Sequence, residues 1–203
     1  MFGSEAAINR GGIKTIPMPI VTRLTSSTTH NLDPSTVTFE VIVTGGGEGG
    51  ARSGSANYTG WAGRSGATAF KTWERVSGVD TVAVVVGGGG ASHDSNSDST
   101  GADGGESTAT YNGELVTAQG GAIHTQGAEA SGGDVNIRGC GLQRFDSAPV
   151  DTTSGNTASF WGPPAANTTQ GAQPYGAGGT GAQSGQGAGD GGNGVVIILE
   201  YAA

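Results

Sequence analysis

Charge is scarce in this sequence. Charged residues make up 13% of its 203 positions, about half the usual share. The basic residues number 9 and form no run, which excludes the clustered Lys/Arg footprint of a nucleic-acid-binding surface. The same scarcity separates the chain from the ordinary disordered class, which combines low hydrophobicity with high charge. Cysteine is reduced to Cys140, so an intrachain disulfide and a Cys-rich zinc site are excluded. In RGCGL that cysteine is expected to be a small buried residue. The histidines, His30, His93 and His124, have no metal-site spacing, and no metal or cofactor is expected. Long apolar runs are missing too. The longest, VAVVV (82–86) and VVIIL (195–199), fall far short of a bilayer-spanning helix. The opening MFGSEAAINRGG has no apolar stretch of the secretory-signal kind, so a soluble protein is expected.

Catalytic patterns are equally sparse. No G-x-S-x-G stands on a strand-to-helix turn, and no Ser-His-Asp set is evident. Carboxylate pairs for glycoside cleavage stay open, because any two acids can meet in space. The expectation is a protein that is not an enzyme.

What the sequence has is glycine, at 41 of 203 residues, against an average near 7%. With 34% hydrophobic residues, a large apolar core cannot hold most of the chain. The glycines are not scattered. TFEVIVT runs into GGGEGG (45–50), DTVAVVV into GGGG (87–90), STATYNGELVTAQ (107–119) into GG, and GAGDGGNG into VVIILEY. DVNIRG (134–139) follows SGG, and NTASFWG (156–162) is another short strand candidate. No fixed period joins these units, which argues against a solenoid. Strands of this length form a small β-sandwich. The runs VAVVV and VVIIL, apolar on both faces, are expected to be covered on both sides.

The glycine tracts require their own account. Ordering a glycine costs the largest backbone entropy of any residue, and no side-chain burial offsets it. Polyproline-II geometry has three residues per turn and no internal hydrogen bonds. Its N–H and C=O groups point outward and are free to bond neighbouring segments. The expected fold is therefore all-β, a small sandwich combined with polyglycine-II-like segments. GAGDGGNG also faintly resembles one calcium-binding nonapeptide, but tandem copies are absent.

Residues 20–44 read as a hairpin turning at Asp33-Pro34. In its second strand Val37, Phe39, Val41 and Val43 share one face, and Thr38, Glu40 and Ile42 the other. Residues 1–22, with a Pro-x-Pro stretch, read as an attachment arm or as a terminal strand tucked against the domain. The division adopted is an arm over 1–30 and a glycine-rich β domain over 31–203. Aromatic residues in Gly/Ser/Asn/Thr-rich loops have the composition of adaptable binding surfaces. Here they are Tyr58, Trp61, Phe145, Phe160, Trp161 and Tyr175, while Trp73 in FKTWERV is expected in the core.

The ordered set TVTFEVIVTGGGEGG, GVDTVAVVVGGGG, GGESTATYNGELVTAQGG, SGGDVNIRG, NTASFWG and GGNGVVIILEY resembles the glycine-rich domain at the ends of tailed-phage tail fibres. The resemblance covers about residues 36 to 201 and leaves 1–30 outside. It implies a distal receptor-binding protein of the virion, made in the host cytoplasm, related to the glycine-rich adhesins of T-even-like phages. Tracts 45–50, 87–90, 176–181 and 185–194 would be scaffold. The tip loops would be 91–100, 143–153 and 160–169. Candidate receptor-binding residues are then His93, Asp94, Asn96, Phe145, Asp146, Phe160, Trp161 and Asn167, with Tyr58 and Trp61. The implied partners are a bacterial surface protein or lipopolysaccharide, other tail or fibre proteins through residues 1–30, and sister chains in a homotrimer, with no nucleic acid and no membrane insertion. A structural virion component, such as a head fibre, capsid decoration or tail-tip cap, is the alternative. An ice-binding polyglycine-II protein and a glycan depolymerase are more distant ones.

Overall fold

The computed structural model describes residues 18–53, 60–93, 101–122, 127–140, 158–162, 175–182, 185 and 187–202. Among the described residues there is no helix. The strands are β1 (Ile20–Leu24), β2 (Thr28–Asn31), β3 (Thr36–Thr44), β4 (Thr68–Glu74), β5 (Thr81–Val85), β6 (Ser107–Tyr111), β7 (Glu114–Ala118), β8 (Ala130–Ser131), β9 (Val135–Ile137) and β10 (Val195–Ala202). They form two five-stranded sheets, ordered β1-β10-β3-β4-β9 and β2-β5-β6-β7-β8. Every neighbouring pair is antiparallel.

The alternation in β3 decides which face is inward. Phe39, Val41 and Val43 are fully buried, as are Val196 and Ile198 beside them in β10. The facing sheet contributes Val82, Val84, Ala109, Tyr111, Val116 and Ala118. Phe39, Trp73 and Tyr111 form the aromatic centre. Phe39 meets Tyr111 edge-on with centroids 4.9 Å apart, and Trp73 at 5.6 Å. Edge-on pairing places the positive ring edge against the negative face. The polar ends of these rings are satisfied, as buried aromatics require. Trp73 Nε1 donates to Glu114 Oε2 at 2.7 Å, and Tyr111 Oη accepts from the Val76 amide at 2.6 Å.

The end of the sandwich where β3 starts and β10 finishes is fastened by Glu200. This carboxylate is 3% exposed. It accepts from Thr36 Oγ1 and the Asp33 amide, both at 2.7 Å, and meets His30 Nε2 at 2.8 Å. Because His30 is on β2 and Glu200 on β10, the contact ties the two sheets together.

At the opposite end the strands continue as glycine segments. Residues 45–53 leave β3, and 60–67 lead into β4. Residues 87–93 leave β5, 101–105 approach β6, 119–122 leave β7 and 187–194 lead into β10. The hydrogen bonds of 45–53 repeat every third residue. Gly45, Glu48 and Ala51 donate to Ala67, Arg64 and Trp61. Gly46 and Gly49 donate to Gly105 and Ala102. Gly47 and Gly50 donate to Gly192 and Gly189. Acceptors follow the same rule. The carbonyls of Gly47 and Gly50 take the amides of Gly90 and His93. Those of Glu48 and Ala51 take Gly179 and Ala182, and that of Gly46 takes Gly121. A period of three is the signature of polyproline-II geometry. The segment 45–53 is thus the axis of a bundle of such helices, bonded outward on all sides. Residues 44–51 are buried throughout.

Close approach explains the composition. A Cβ on Gly47 would overlap the carbonyl oxygen of Ala177, and one on Gly50 that of Thr180. Both obstacles are backbone and cannot rotate away. Each hydrogen bond contributes about 0.5–1.5 kcal/mol net, close to the cost of about 1–2 kcal/mol for ordering each backbone unit. The bundle therefore depends on the sandwich to align its segments.

Several expectations need correction. Residues 20–44 are not a hairpin. β1 pairs with β10, β2 with β5, and β3 with β10 and β4, so β1 and β2 are edge strands of opposite sheets. STATYNGELVTAQ contains two strands, β6 and β7, joined at Asn112 (φ 48°) and Gly113 (φ 81°). These left-handed residues make the tight turn that matches strand twist. β5 is covered on one side only. Val82 and Val84 point inward, whereas Val85 is 49% exposed, because among the described residues no outer layer covers its sheet there. In 158–162 an isolated Ser159–Gly162 bridge takes the place of a strand. Cys140 is exposed. It lies past β9 at the sheet edge, where its amide donates to Ser65 Oγ at 2.7 Å.

Candidate functional site

The far end of the bundle, away from the sandwich, gathers residues from separate segments. The Ala51 amide donates to the Trp61 carbonyl at 2.8 Å. The Arg52 amide donates to the His93 carbonyl, and the Ser53 amide to that of Ala182, both at 2.9 Å. Parallel bridges join Ala51 to His93 and Arg52 to Ala182. Trp61, His93 and Arg52 are each half-buried. Their places are set by backbone bonds to the axial segment. Arg52 was not anticipated. Its only sequence signal is being the first long side chain after the GGGEGG tract. Among the described residues its Nε is buried without a hydrogen-bond partner.

Below this end the bundle encloses charge. Glu48 is 2% exposed and Arg64 6%. Glu48 Oε2 accepts the Arg64 amide at 3.0 Å, the Glu48 amide donates to the Arg64 carbonyl at 2.8 Å, and Arg64 Nη1 donates to the Ala122 carbonyl. One glutamate thereby fixes the register of the axial segment against residues 60–67. GDGGNG is also explained. Asp190 Oδ1 accepts the Ser92 amide at 2.7 Å, and Asn193 Oδ1 the Gly89 amide at 2.8 Å. Both acceptors and both donors are three residues apart, one turn of the helix. These side chains complete the lattice where a neighbouring carbonyl is missing.

Phe160 and Trp161 lie elsewhere. Trp161 Nε1 donates to Thr44 Oγ1 at 2.9 Å, and Phe160 packs edge-on against Phe70 with centroids 5.1 Å apart. Thr44 ends β3, seven positions before Ala51. At about 3.1 Å per residue, the pair sits roughly 20 Å below the bundle end, on the outer face of the first sheet. The structure thus bonds the backbones of Trp61 and His93 to the same stretch of the axial segment and sets Phe160 and Trp161 apart from them. Tyr58, Asp94, Asn96, Phe145, Asp146 and Asn167 lie outside the described residues. Among the described residues no group of three or more His, Cys, Asp or Glu side chains could hold a metal. No helix there is long and apolar enough to cross a membrane.

No curated protein matches this chain. A family model described as a glycine-rich domain matches residues 22–159, a span running from β1 through the β9 sheet edge to the Ser159 bridge. The chain belongs to this glycine-rich domain family.

Proposed function

We propose that this protein is a virion component at the tip of a phage tail or tail fibre, which binds a bacterial surface molecule without catalysis. The observation that carries the reading is the polarity of the molecule. Ile20 and Tyr201 lie at the fastened end of the sandwich. Trp61 and His93 are bonded through their backbones beside Arg52, at the far end of the described glycine bundle. A hydrogen-bonded scaffold that holds an aromatic ring, an imidazole and a guanidinium at its extremity suits recognition, since preorganised contacts lose little entropy on binding. The receptor class is a surface protein or lipopolysaccharide. Residues 1–30 would join the molecule to other tail or fibre proteins. A homotrimeric arrangement would multiply modest affinities into avidity.

The test is saturable binding of the fluorescently labelled protein to a panel of Gram-negative strains, with competition against phage adsorption. Binding to a narrow set of strains, with adsorption to those strains blocked, is expected. Absence of binding to every strain that the parent phage infects would overturn the receptor reading in favour of a structural virion component.

A further inference from the structure

The sequence holds two Asn-Gly pairs, Asn112-Gly113 and Asn193-Gly194. In such a pair the glycine nitrogen can attack the asparagine side chain, because no Cβ shields it. The structure places the two pairs in opposite settings. Asn193 and Gly194 are fixed by the bundle and the sandwich. Asn193 Oδ1 accepts the Gly89 amide, the Asn193 carbonyl accepts the Gly176 amide, and the Gly194 amide donates to the Gly87 carbonyl, each at 2.8 Å. Gly194 is buried, with the Thr44 carbonyl oxygen and Ser107 Oγ where a Cβ would lie. Asn112 is exposed at the β6–β7 turn, with φ 48°. Gly113 follows at φ 81°, with open space where a Cβ would point. Among the described residues no hydrogen bond holds the Asn112 side chain or the Gly113 amide.

We infer that Asn112 is a site of spontaneous covalent modification, deamidation through a succinimide, and that the bundle protects Asn193 from the same reaction. The Gly113 nitrogen gives up its proton to solvent base and bonds to Asn112 Cγ. The Cγ–Nδ2 bond breaks, and the side-chain nitrogen leaves as ammonia. Water then opens the five-membered ring at one of its two carbonyls, which yields aspartate or isoaspartate. The net change consumes one water and releases one ammonia, with no oxidation or reduction. The step needs a backbone nitrogen able to lose its proton and a Cγ able to approach it. The β6–β7 turn allows both. At Asn193-Gly194 both require local opening of a hydrogen-bonded region, the event that also limits amide exchange. Either product adds one negative charge to a chain whose formal charge is −8. Opening to aspartate leaves Asp-Gly, which suits this turn as well as Asn-Gly does. Opening to isoaspartate threads Cβ into the backbone and lengthens a two-residue turn that closes on Tyr111 opposite Glu114. Tyr111 belongs to the aromatic centre, so this product loosens the sheet end that the turn holds. The inference does not depend on receptor binding at the far end.

Peptide mapping by mass spectrometry tests the inference on the full chain. The protein is held in mildly alkaline buffer, once folded and once unfolded in urea, and sampled over time. Conversion of each asparagine to the acid is read from its mass gain, and the aspartate and isoaspartate peptides are separated by chromatography. In the folded chain Asn112 is expected to convert at least about tenfold faster than Asn193, because only Asn193 must wait for local opening. In urea the two rates are expected to be comparable. Conversion of Asn112 no faster than that of Asn193 in the folded chain would overturn the inference. An equally large preference for Asn112 in urea would assign the difference to neighbouring sequence rather than to the fold, and would overturn it as well.

Discussion

The amide of Gly47 donates to the carbonyl of Gly192 at 2.8 Å, joining the segment that leaves β3 to the segment that enters β10. The same two strands pair directly in the sandwich, Thr44 against Val195. One partnership therefore runs through both halves of the molecule. It changes from a β-ladder with a repeat of two to a threefold helix where the side chains stop.

The first prediction concerns that change. Gly47→Ala places a methyl group against the Ala177 carbonyl in the centre of the bundle. Overpacking against backbone is expected to cost about 1–3 kcal/mol or more. Gly88 is exposed and has open space where a Cβ would point, so Gly88→Ala should be neutral or stabilise by up to about 1 kcal/mol. Urea unfolding of both variants separates a packed bundle from a loose glycine tract, in which the two changes would act alike.

Acid should loosen the Glu200 end. Burial opposes the charge on Glu200, but the Thr36 hydroxyl, the His30 ring and the Asp33 amide outweigh it and hold the carboxyl below its ordinary value. A carboxyl depressed in the folded state stabilises fully above its unfolded pKa of about 4.3. That contribution is lost as the pH falls through the folded value. Thermal unfolding between pH 7 and pH 3 should show this loss. Glu200→Gln should lower stability at pH 7 by about 1–3 kcal/mol and flatten the acid slope. An unchanged slope in the variant would assign the acid response to other groups.

At the β6–β7 turn, Gly113 has φ 81°, a region that costs an L-residue about 1–2 kcal/mol. Gly113→Ala should destabilise by that amount and leave cell binding intact, because the turn lies at the end of its sheet remote from the bundle. Chemical denaturation beside a binding assay checks both halves of the statement.

Trp61 and His93 meet the axial segment through backbone atoms. The double variant Trp61→Ala, His93→Ala is expected to lose at least tenfold in affinity for cells, with thermal unfolding run beside the binding assay. Equal affinity with equal stability would place the receptor contact elsewhere.

The legible part of this fold was what the chemistry of single segments dictates. TVTFEVIVT alternates so strictly that its inward face is evident, and long glycine tracts beside strands leave mutual backbone bonding as their route to order. What was not legible depends on partners distant in sequence. β4 (TAFKTWE) passed unnoticed because its flanking glycines belong to the bundle and give no turn signal. The two-sided reading of VAVVV failed because periodicity cannot tell whether a second layer exists. Asn112-Gly113 was a readable hairpin signal that the longer strand reading absorbed. At the candidate site, Trp61 was singled out from loop composition and His93 as part of the tip loop 91–100 that the resemblance implies. Their placement beside Ala51 and Arg52 follows from a lattice register that Glu48 and Arg64 help to set, and no local pattern encodes it.

The central claim is that the glycine tracts are an ordered scaffold continuous with the sandwich. Amide hydrogen exchange tests it most directly. The account predicts that the amides of Gly46, Gly47, Glu48, Gly49 and Gly50 exchange as slowly as those of Phe39 and Val41 in β3. Exchange of these glycine amides at the rate of an unstructured peptide, with β3 still protected, would contradict it.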